Sequence, residues 1–297
     1  MTHAAHAPRR RLTVSSLFDH LTPETLWAAS LGGLNLLTRR MGDESRYRWA
    51  RRISRTARWV APGKWYAVES NLALVNRWAG AHFQTHKVFE NFVLTLSDFL
   101  SGAKPVVHVE GREKAEAARA VGKGAVFLTS HLGHWELGGR ILADWGWPVT
   151  AVYQPYRSAA MHDFIHKRRA PGLRYLAVGK GAAAGIGRVL QRREVVAFVG
   201  DRPYGEEGIP VPFCGRRARF PRGPFVFACR FGAPVIPGVV LKEKPGVYRA
   251  VVGDPLWPSG RGPEAVKELL EKLALVLEKY ISRYGEQWYR FEPVWAD

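Results

Sequence analysis

Residues 124–146 read GAVFLTSHLGHWELGGRILADWG and join two kinds of secondary-structure pattern. The first part, GAVFLTS, is a short apolar run bounded by glycine, which is typical of a buried strand. The second part, WELGGRILADWG, has the pattern of a helix. The polar residues between the two parts therefore follow the carboxyl end of a strand, which is where open α/β sheets bind their ligands.

Strands and helices continue to alternate on both sides of this segment. Further strands are predicted at 105–111, 149–155, 174–178, 194–200, 233–241 and 248–253. Further helices are predicted at 158–170, 182–193, 221–232 and 263–284. Strands that alternate with helices of about a dozen residues indicate an α/β sandwich, in which a mixed, mostly parallel sheet is flanked by helices.

The chain before residue 105 has a different character. Residues 1–22 form a basic tail, and helical patterns extend from about residue 23 to residue 104. We predict that this N-terminal helical region associates with membranes and packs against an α/β domain at 105–297. The most apolar early stretch, 26–37, is shorter than the roughly 20 residues that a spanning helix needs, so we expect no transmembrane segment.

The net charge of the 297-residue chain is +18, with 44 Lys and Arg against 26 Asp and Glu. Such a charge favours a negatively charged partner, which could be nucleic acid, an anionic membrane or an acidic carrier protein; a high arginine content also follows from genome composition alone. No nucleic-acid-binding signature is present, so we expect no nucleic-acid partner. The two cysteines, Cys214 and Cys229, suggest neither a disulfide framework nor a metal site.

Residues 44–60 form a basic amphipathic pattern with interleaved Trp49 and Trp59. One stripe is apolar and consists of Ala50, Ile53, Ala57 and Val60. The other is cationic and consists of Arg48, Arg51, Arg52, Arg55 and Arg58. Such a helix suits an anionic membrane surface, and Arg48, Arg51, Arg55 and Trp49 are the candidate contacts. A solvated face on a helix that packs against the core is the alternative.

His131 is the candidate base of the turn that follows the first buried strand. Glu136 comes five residues later, and the loop between them can fold its carboxylate onto the imidazole, to fix the tautomer and stabilise the imidazolium. A metal site at His131 and His134 is the alternative, but H-E-x-x-H spacing and a third ligand are missing, so we expect no metal. Ser130 is a poor nucleophile candidate because neighbours in a strand point apart.

The same segment carries a family resemblance. SHLGHWELGG (130–139) resembles the first signature block of the bacterial lipid A late acyltransferases and of the related phosphatidylinositol mannoside acyltransferases, members of the glycerolipid acyltransferase superfamily with its H-x4-D/E motif. Further blocks are similar in the same order: DFL (98–100), VYQPYR (152–157), the segment 198–237 and EQWYRFEPVW (286–295), with Gly285 where proline is usual.

The resemblance implies a glycerol-3-phosphate-acyltransferase-like fold and a catalytic set of His131, Glu136 and Asp201. In this set, His131 is the general base, Glu136 orients the His131 ring, and Asp201 of the GDRP segment (200–203) is a second partner of His131. The implied substrate-binding arginines are Arg169, Arg168, Arg202 and Arg157. For Arg168 and Arg169, stabilisation of a helix end is the alternative role. Gly138 and Gly139 indicate either close approach of an acyl chain or tight helix–sheet packing.

The implied activity is transfer of an acyl group to a lipid hydroxyl. The donor is an acyl carrier protein or coenzyme A thioester, which acts as co-substrate, and no other cofactor is expected. The acceptor is a membrane lipid of lipid A type, or another lipid such as a phosphatidylinositol mannoside, a lysophospholipid or an ornithine-type lipid. We expect a monomer on the cytoplasmic face of the bacterial inner membrane. A non-catalytic basic membrane-binding protein is the alternative from a different class.

Overall fold

A computed structural model describes Gly33 and residues 41–156, 158–203 and 208–295 of the chain. From residue 41 onward the described residues begin with three helices: α1 (Asp43–Val60), α2 (Pro62–Ala79) and α3 (Thr85–Ser101). They agree with the helical patterns that the sequence shows between 44 and 100. The predicted basic tail at 1–22 lies outside the described residues, and so does almost all of the predicted helical stretch at 24–41.

Nine strands and six further helices follow in the described part of the chain. In chain order they are β1 (Val106–Glu110), α4 (Arg112–Ala120), β2 (Ala125–Thr129), α5 (Trp135–Asp144), β3 (Val149–Tyr153), α6 (Ala159–His166), β4 (Arg174–Ala177), α7 (Ala182–Gln191), β5 (Val195–Val199), β6 (Ile209–Phe213), β7 (Arg216–Phe220), α8 (Gly223–Phe231), β8 (Val235–Lys244), β9 (Val247–Val252) and α9 (Pro263–Tyr284). A short 3₁₀ turn, Gly285–Gln287, ends α9.

Seven of the strands form one sheet, in the order β1-β9-β8-β2-β5-β3-β4. Every pair in it is parallel except β8 with β9, which are consecutive and antiparallel. The prediction of an α/β fold with a mixed, mostly parallel sheet is therefore confirmed. Because β2 lies between β8 and β5, the turn at His131 stands near the middle of the sheet.

The two faces of β2 pack into separate layers of the core. Val126 and Leu128 lie in a cluster with α7, α8, α9 and the β6–β7 hairpin. Ala125 and Phe127 lie in a cluster with α4 and the segment after α5. Side chains of a strand alternate between faces, so a strand covered on both sides is apolar throughout, as GAVFLTS predicts.

The N-terminal helices are joined to the sheet by buried polar contacts. The Tyr248 hydroxyl of β9 donates to Asp98 Oδ2 of α3 at 2.6 Å, and both residues are buried. Asn71 of α2 donates to the carbonyl oxygens of Arg290 and Glu292 in the C-terminal segment. These contacts fix the helices against the α/β part. The domain boundary near residue 104 stays a prediction.

The packing of α1 corrects the predicted apolar stripe. Ala50 is buried and Ala57 half-buried, but Ile53 and Val60 are exposed. Ser54 is buried in their place. An ion pair from Arg51 to Glu90 of α3 (3.0 Å) helps to set the rotation of the helix, so that small residues face α3 and allow close packing. The larger apolar side chains are turned outward.

Candidate active site

The register of the sheet brings together two residues that lie 70 positions apart in the chain. Strands β2 and β5 are parallel, with Thr129 opposite Val199. His131 and Asp201 each follow that pair by two residues, and the Gly200 N–H donates to the Thr129 carbonyl at 2.8 Å to extend the pairing. A Cβ on Gly200 would lie 2.8 Å from the Leu128 side chain, so a larger residue would have to displace that side chain where the two turns approach.

The His131 imidazole is held by Asp201. Its Nδ1 lies 2.7 Å from Asp201 Oδ1, and the His131 backbone N–H donates to the same oxygen at 3.1 Å. The Asp201 side chain is almost fully buried, whereas that of His131 is 27% exposed. A carboxylate on Nδ1 keeps the proton on that nitrogen and leaves Nε2 as the acceptor that a substrate can reach.

Asp201 is held in turn by residues near the C-terminus. The Trp288 indole N–H donates to Asp201 Oδ2 at 3.2 Å, and the Arg290 guanidinium donates to the Asp201 carbonyl at 2.7 Å. Burial by itself raises the pKa of Asp201, but His131, through charge and hydrogen bonds, and the Arg290 charge outweigh it and bring that pKa below its usual range. The carboxylate is therefore ionised at neutral pH.

Aromatic residues fix the position of the turn. The Tyr289 backbone N–H donates to the His131 carbonyl at 2.7 Å. The Trp135 ring meets the imidazole edge-on, with 5.2 Å between ring centroids, and the Tyr289 ring packs on Trp135. Residue-level reasoning from the sequence did not single out Trp288, Tyr289 or Arg290. The similarity of EQWYRFEPVW to a family segment was the signal that could have pointed to them.

Glu136 does not contact the imidazole, which corrects its expected role as the partner of His131. Glu136 Oε1 accepts from Arg169 Nε at 3.3 Å and from the other end of the same guanidinium at 3.1 Å. Glu136 lies in the first turn of α5, whereas Arg169 follows α6. The Arg169 guanidinium lies over the rings of Tyr153 and Tyr175, 5.2 and 5.3 Å from their centroids. Glu136 therefore positions Arg169 rather than His131.

The remaining predicted substrate-binding arginines have separate positions. Arg202 lines the cavity at His131 and pairs with Glu292 at 3.2 Å. Arg168 donates to the Phe164 carbonyl at 2.6 Å, and its guanidinium lies over the Phe164 ring. These contacts with the end of α6 fit the alternative role of Arg168, which is to stabilise a helix end. Arg157 lies outside the described residues. The binding roles of these arginines stay predictions.

Three residues of the segment 130–139 have structural roles that help to explain its composition. His134 caps α5, because its Nδ1 accepts the Leu137 N–H at 3.2 Å. Burial, followed by the charge of Arg140, lowers the pKa of His134 to about 3, so its ring is neutral. A Cβ on Gly138 would lie 3.4 Å from the Val240 side chain, and a Cβ on Gly139 would lie 3.1 Å from the Leu173 side chain. These distances favour close packing of the helix, and both glycines also line the cavity.

Gly133 is a residue whose role sequence reasoning missed. Its φ is +67°, and a Cβ there would collide with the Val240 carbonyl. That carbonyl accepts the His134 N–H at 2.7 Å, which places the turn directly on β8. Only glycine combines this conformation with this approach. The glycine of H-x-G-H is thus required by the backbone path that presents His131.

A cavity of about 1110 Å³ opens beside His131. Near the imidazole its wall carries Trp135, Glu136, Arg169 and Arg202. The rest of the lining is mostly apolar and includes Phe127, Ile141, Val152, Ile186, Phe227 and Val239. The site thus joins an imidazole and two cations to a largely apolar space of the size that holds a drug-sized ligand.

The described residues contain no group of three or more His, Cys, Asp or Glu side chains placed to hold a metal ion. Ser130 is fully buried, which agrees with its exclusion as a nucleophile. Over the same residues, none of the helices is both long enough and apolar enough to cross a bilayer.

The predicted membrane face is a mixed surface on α1 and α2. Its exposed large side chains are Trp49, Ile53, Trp59, Val60, Tyr66 and Trp78; Trp59 and Val60 are 76% and 78% exposed. Arg48, Arg52, Arg55 and Arg58 are exposed on the same helix. We call these residues the α1–α2 surface. Arg51 differs from the other arginines because it is paired with the largely buried Glu90.

A family model described as bacterial lipid A biosynthesis acyltransferase matches residues 89–297. A phosphatidylinositol mannoside acyltransferase of Mycobacterium tuberculosis is 26% identical over 198 residues, which cover 63% of this chain and 59% of that protein. A lipid A biosynthesis palmitoleoyltransferase of Escherichia coli is 25% identical over 184 residues, which cover 61% and 58%.

The match thus spans a little under three fifths of the length of these curated relatives. Among solved structures, a 1-acyl-sn-glycerophosphate acyltransferase of Thermotoga maritima aligns with 82% of this chain and 98% of its own, at 13% identity and a TM-score of 0.39.

Proposed function

The chain belongs to the bacterial lipid A biosynthesis acyltransferase family, and we propose that it moves a fatty acyl group from a thioester to a hydroxyl of a membrane lipid. The observation that carries this proposal is the His131–Asp201 pair, at 2.7 Å, whose imidazole lines a largely apolar cavity. The pair supplies a base, and the cavity supplies room for an acyl chain.

In the proposed step, His131 Nε2 accepts the proton of the lipid hydroxyl as its oxygen attacks the thioester carbonyl. The C–S bond then breaks, and the thiolate takes the proton from the imidazolium, so the products are an ester and a thiol. Asp201 holds the ring and stabilises its charged form. No protein nucleophile is needed, which fits the burial of Ser130.

The developing oxyanion needs donors that point at it. Arg202 is the proposed side-chain donor because it lines the cavity, and its ion pair with Glu292 orients it. Arg169 has a different proposed role. Its guanidinium is held by Glu136 and two tyrosine rings, and a fixed planar fork of this kind is suited to bind phosphate or carboxylate on the acceptor or the donor.

The proposed acceptor is a glycolipid of lipid A type, since the matching family model and the E. coli relative are so named. A mannosylated phosphatidylinositol lipid is the second candidate, because the M. tuberculosis relative is named as an acyltransferase of such lipids. That relative aligns over 198 residues, against 184 for the E. coli relative. Mass spectrometry of lipids from a deletion strain separates the two, since the missing acylated species identifies acceptor and chain length together.

The proposed location is the cytoplasmic face of the bacterial inner membrane, to which the protein binds peripherally. The α1–α2 surface supports this proposal because tryptophans at a polar–apolar boundary next to arginines suit the headgroup region of an anionic bilayer. The donor thioester, on acyl carrier protein or coenzyme A, would reach the cavity from the water side.

Release of free thiol from an acyl thioester, in the presence of lipid acceptor, tests the reaction. His131→Ala should lower kcat by about 10²- to 10⁴-fold, the range of general base catalysis, with the fold and vesicle binding unchanged. His82→Ala is the matched control, because His82 lies between α2 and α3, outside the cavity lining. Full turnover by folded His131→Ala would exclude His131 as the base.

A further inference from the structure

The β6–β7 hairpin presents an arginine-rich face to solvent. Its strands are antiparallel, with Pro210 opposite Arg219 and Pro212 opposite Arg217. These four residues are exposed, whereas the alternate residues of both strands, Val211, Phe213, Ala218 and Phe220, are buried in the core. We call the exposed side the hairpin face.

The hairpin leads directly into the lining of the cavity. Strand β7 ends at Phe220, and the next two residues, Pro221 and Arg222, line the cavity. From its inner side, Phe213 contacts the Trp288 ring, with 6.0 Å between centroids, and Trp288 donates to Asp201. The hairpin is thereby fixed to the residues that hold His131.

The charges of this face have no acidic partner within the described part of the chain. Arg217, Arg219 and Arg222 form no ion pair there, in contrast to Arg169 and Arg202. Arg219 donates to the Gly208 carbonyl at 3.1 Å, which directs its side chain along the hairpin. Exposed arginines without counter-charges, next to the opening of a cavity, are suited to meet acidic side chains of another molecule.

We infer that the hairpin face docks an acidic carrier protein that brings the acyl chain to the cavity as a thioester. This inference rests on the proposed acyl transfer and adds the partner and its docking surface. Arginines form bidentate bonds with carboxylates, and a positive face beside the cavity would steer an acidic protein so that its tethered acyl group points inward. Pro210 and Pro212 have no backbone N–H, so β6 is poorly suited to pair with a strand of another molecule. A partner would therefore contact the hairpin face through side chains.

A bilayer is the other anionic surface that an arginine face could meet. Among the described residues of the hairpin, however, no large apolar side chain is exposed, whereas the α1–α2 surface exposes six. A face that inserts into headgroups needs such side chains for its apolar contact. The observations therefore favour a protein at the hairpin face and leave the membrane to the α1–α2 surface.

Charge reversal tests the inference directly. Binding of a purified bacterial acyl carrier protein to the full chain is measured by fluorescence anisotropy at low ionic strength, for wild type and for the double variant Arg217→Glu/Arg219→Glu. The variant should bind about a hundredfold more weakly, since like charges across an interface cost several kcal/mol. The matched control is Arg230→Glu/Arg261→Glu, which changes the net charge equally at exposed positions outside the hairpin and the cavity, and should bind within about threefold of wild type.

Turnover with two donors separates this inference from the proposed function. With acyl carrier protein as donor, kcat/KM of the hairpin variant should fall as binding does; with acyl-pantetheine, which lacks the protein, it should stay within about twofold of wild type. Wild type that does not bind the carrier, or a hairpin variant that binds it normally, overturns the inference. Loss of vesicle binding instead of carrier binding overturns it too. Failure of wild type to turn over either donor contradicts the proposed function, whereas the binding result stands by itself.

Discussion

At the scale of single residues, the site depends on which carboxylate faces His131. The sequence favoured Glu136 by proximity, at five residues, and offered Asp201 only through the resemblance. The register of β2 and β5 decides for Asp201. Strand order is a property of the whole sheet, and no local pattern around either residue contains it. Glu136 is nonetheless placed at the cavity, where it binds Arg169.

Substitution of the two carboxylates should separate their roles. Asp201→Asn should lower kcat by about 10²- to 10⁴-fold, because the imidazolium that forms during transfer loses its counter-charge. Glu136→Gln should act through Arg169, with a raised KM and a kcat within about tenfold of wild type. Steady-state kinetics measure this split.

A structural readout accompanies the kinetics. The downfield Nδ1–H proton resonance of His131 in NMR spectra should disappear in Asp201→Asn and persist in Glu136→Gln, since only Asp201 accepts that hydrogen bond. The opposite pattern, with the resonance lost in the Glu136 variant alone, would mean that Glu136 is the partner of His131 after all.

His134 should make the stability of the protein pH-dependent. Its pKa is lowered by burial to about 3 in the folded state, against about 6.5 when unfolded. The unfolded chain therefore binds a proton that the folded chain excludes. The stabilisation due to the neutral ring is complete above pH 6.5 and is lost progressively as the pH falls toward 3, by a few kcal/mol at about 1.4 kcal/mol per pKa unit.

His134→Asn isolates this effect, since asparagine can cap α5 but does not titrate. Between pH 7 and pH 4.5, the free energy of unfolding, measured with urea, should fall less in the variant than in wild type. Equal losses in the two proteins would show that His134 does not carry the pH dependence.

At the scale of elements, the sequence predicted most of the sheet but not the β6–β7 hairpin or α4. Period-2 alternation in IPVPF and RRARF, around the Cys214–Gly215 turn, was the available signal for the hairpin. Two prolines in one strand hid it, because proline normally argues against a strand. Helix α4, REKAEAARA, consists of strong helix formers and could have been predicted from propensity.

Helix α1 shows why amphipathic patterns need a structure to be interpreted. Its predicted apolar stripe is divided: Ala50 faces the protein, and Ile53 and Val60 face outward beside the arginines. A helix position is buried when its side chain fits the neighbouring element, and small residues fit the close approach to α3. The apolar groups left outside are available for a membrane.

Arginines of α1 should contribute unequally to membrane binding. The triple variant Arg48→Gln/Arg52→Gln/Arg55→Gln should bind anionic vesicles about a hundredfold more weakly, since each arginine near such a surface contributes about 1 kcal/mol. Arg51→Gln is the matched contrast. Because Arg51 is paired with Glu90, its loss should lower the Tm of the protein. The affinity for vesicles should change much less than in the triple variant.

Sedimentation with vesicles that contain phosphatidylglycerol measures both effects, with neutral phosphatidylcholine vesicles as the control lipid. Unchanged sedimentation of the folded triple variant would remove the α1–α2 surface from the proposed membrane contact. A single Arg51→Gln change that weakens binding as much as the triple change would show that the Glu90 pair does not hold Arg51 away from the bilayer.

At the scale of the whole molecule, the C-terminal segment connects the His131–Asp201 pair, the β6–β7 hairpin and the N-terminal helices. Trp288 and Arg290 of that segment hold Asp201, Phe213 of the hairpin contacts Trp288, and Asn71 of α2 donates to the Arg290 carbonyl. Composition alone indicated an anionic partner but did not locate it. The fold assigns the excess positive charge to separate faces, one with exposed tryptophans and one without.

The depth of the cavity should set the length of the transferred chain. Ala151 of β3 lines the cavity and is half-buried, so Ala151→Leu would place three more carbons inside it. Each buried methylene is worth about 0.8 kcal/mol, and exclusion of two or three of them should lower kcat/KM for the longest accepted chain by about 10- to 50-fold. Chains shorter by three or more carbons should be transferred as by wild type. A series of acyl thioesters of increasing length measures the profile, with Ala117→Leu on the exposed side of α4 as control. An equal fall at every chain length, or an unchanged profile, would place the acyl chain elsewhere.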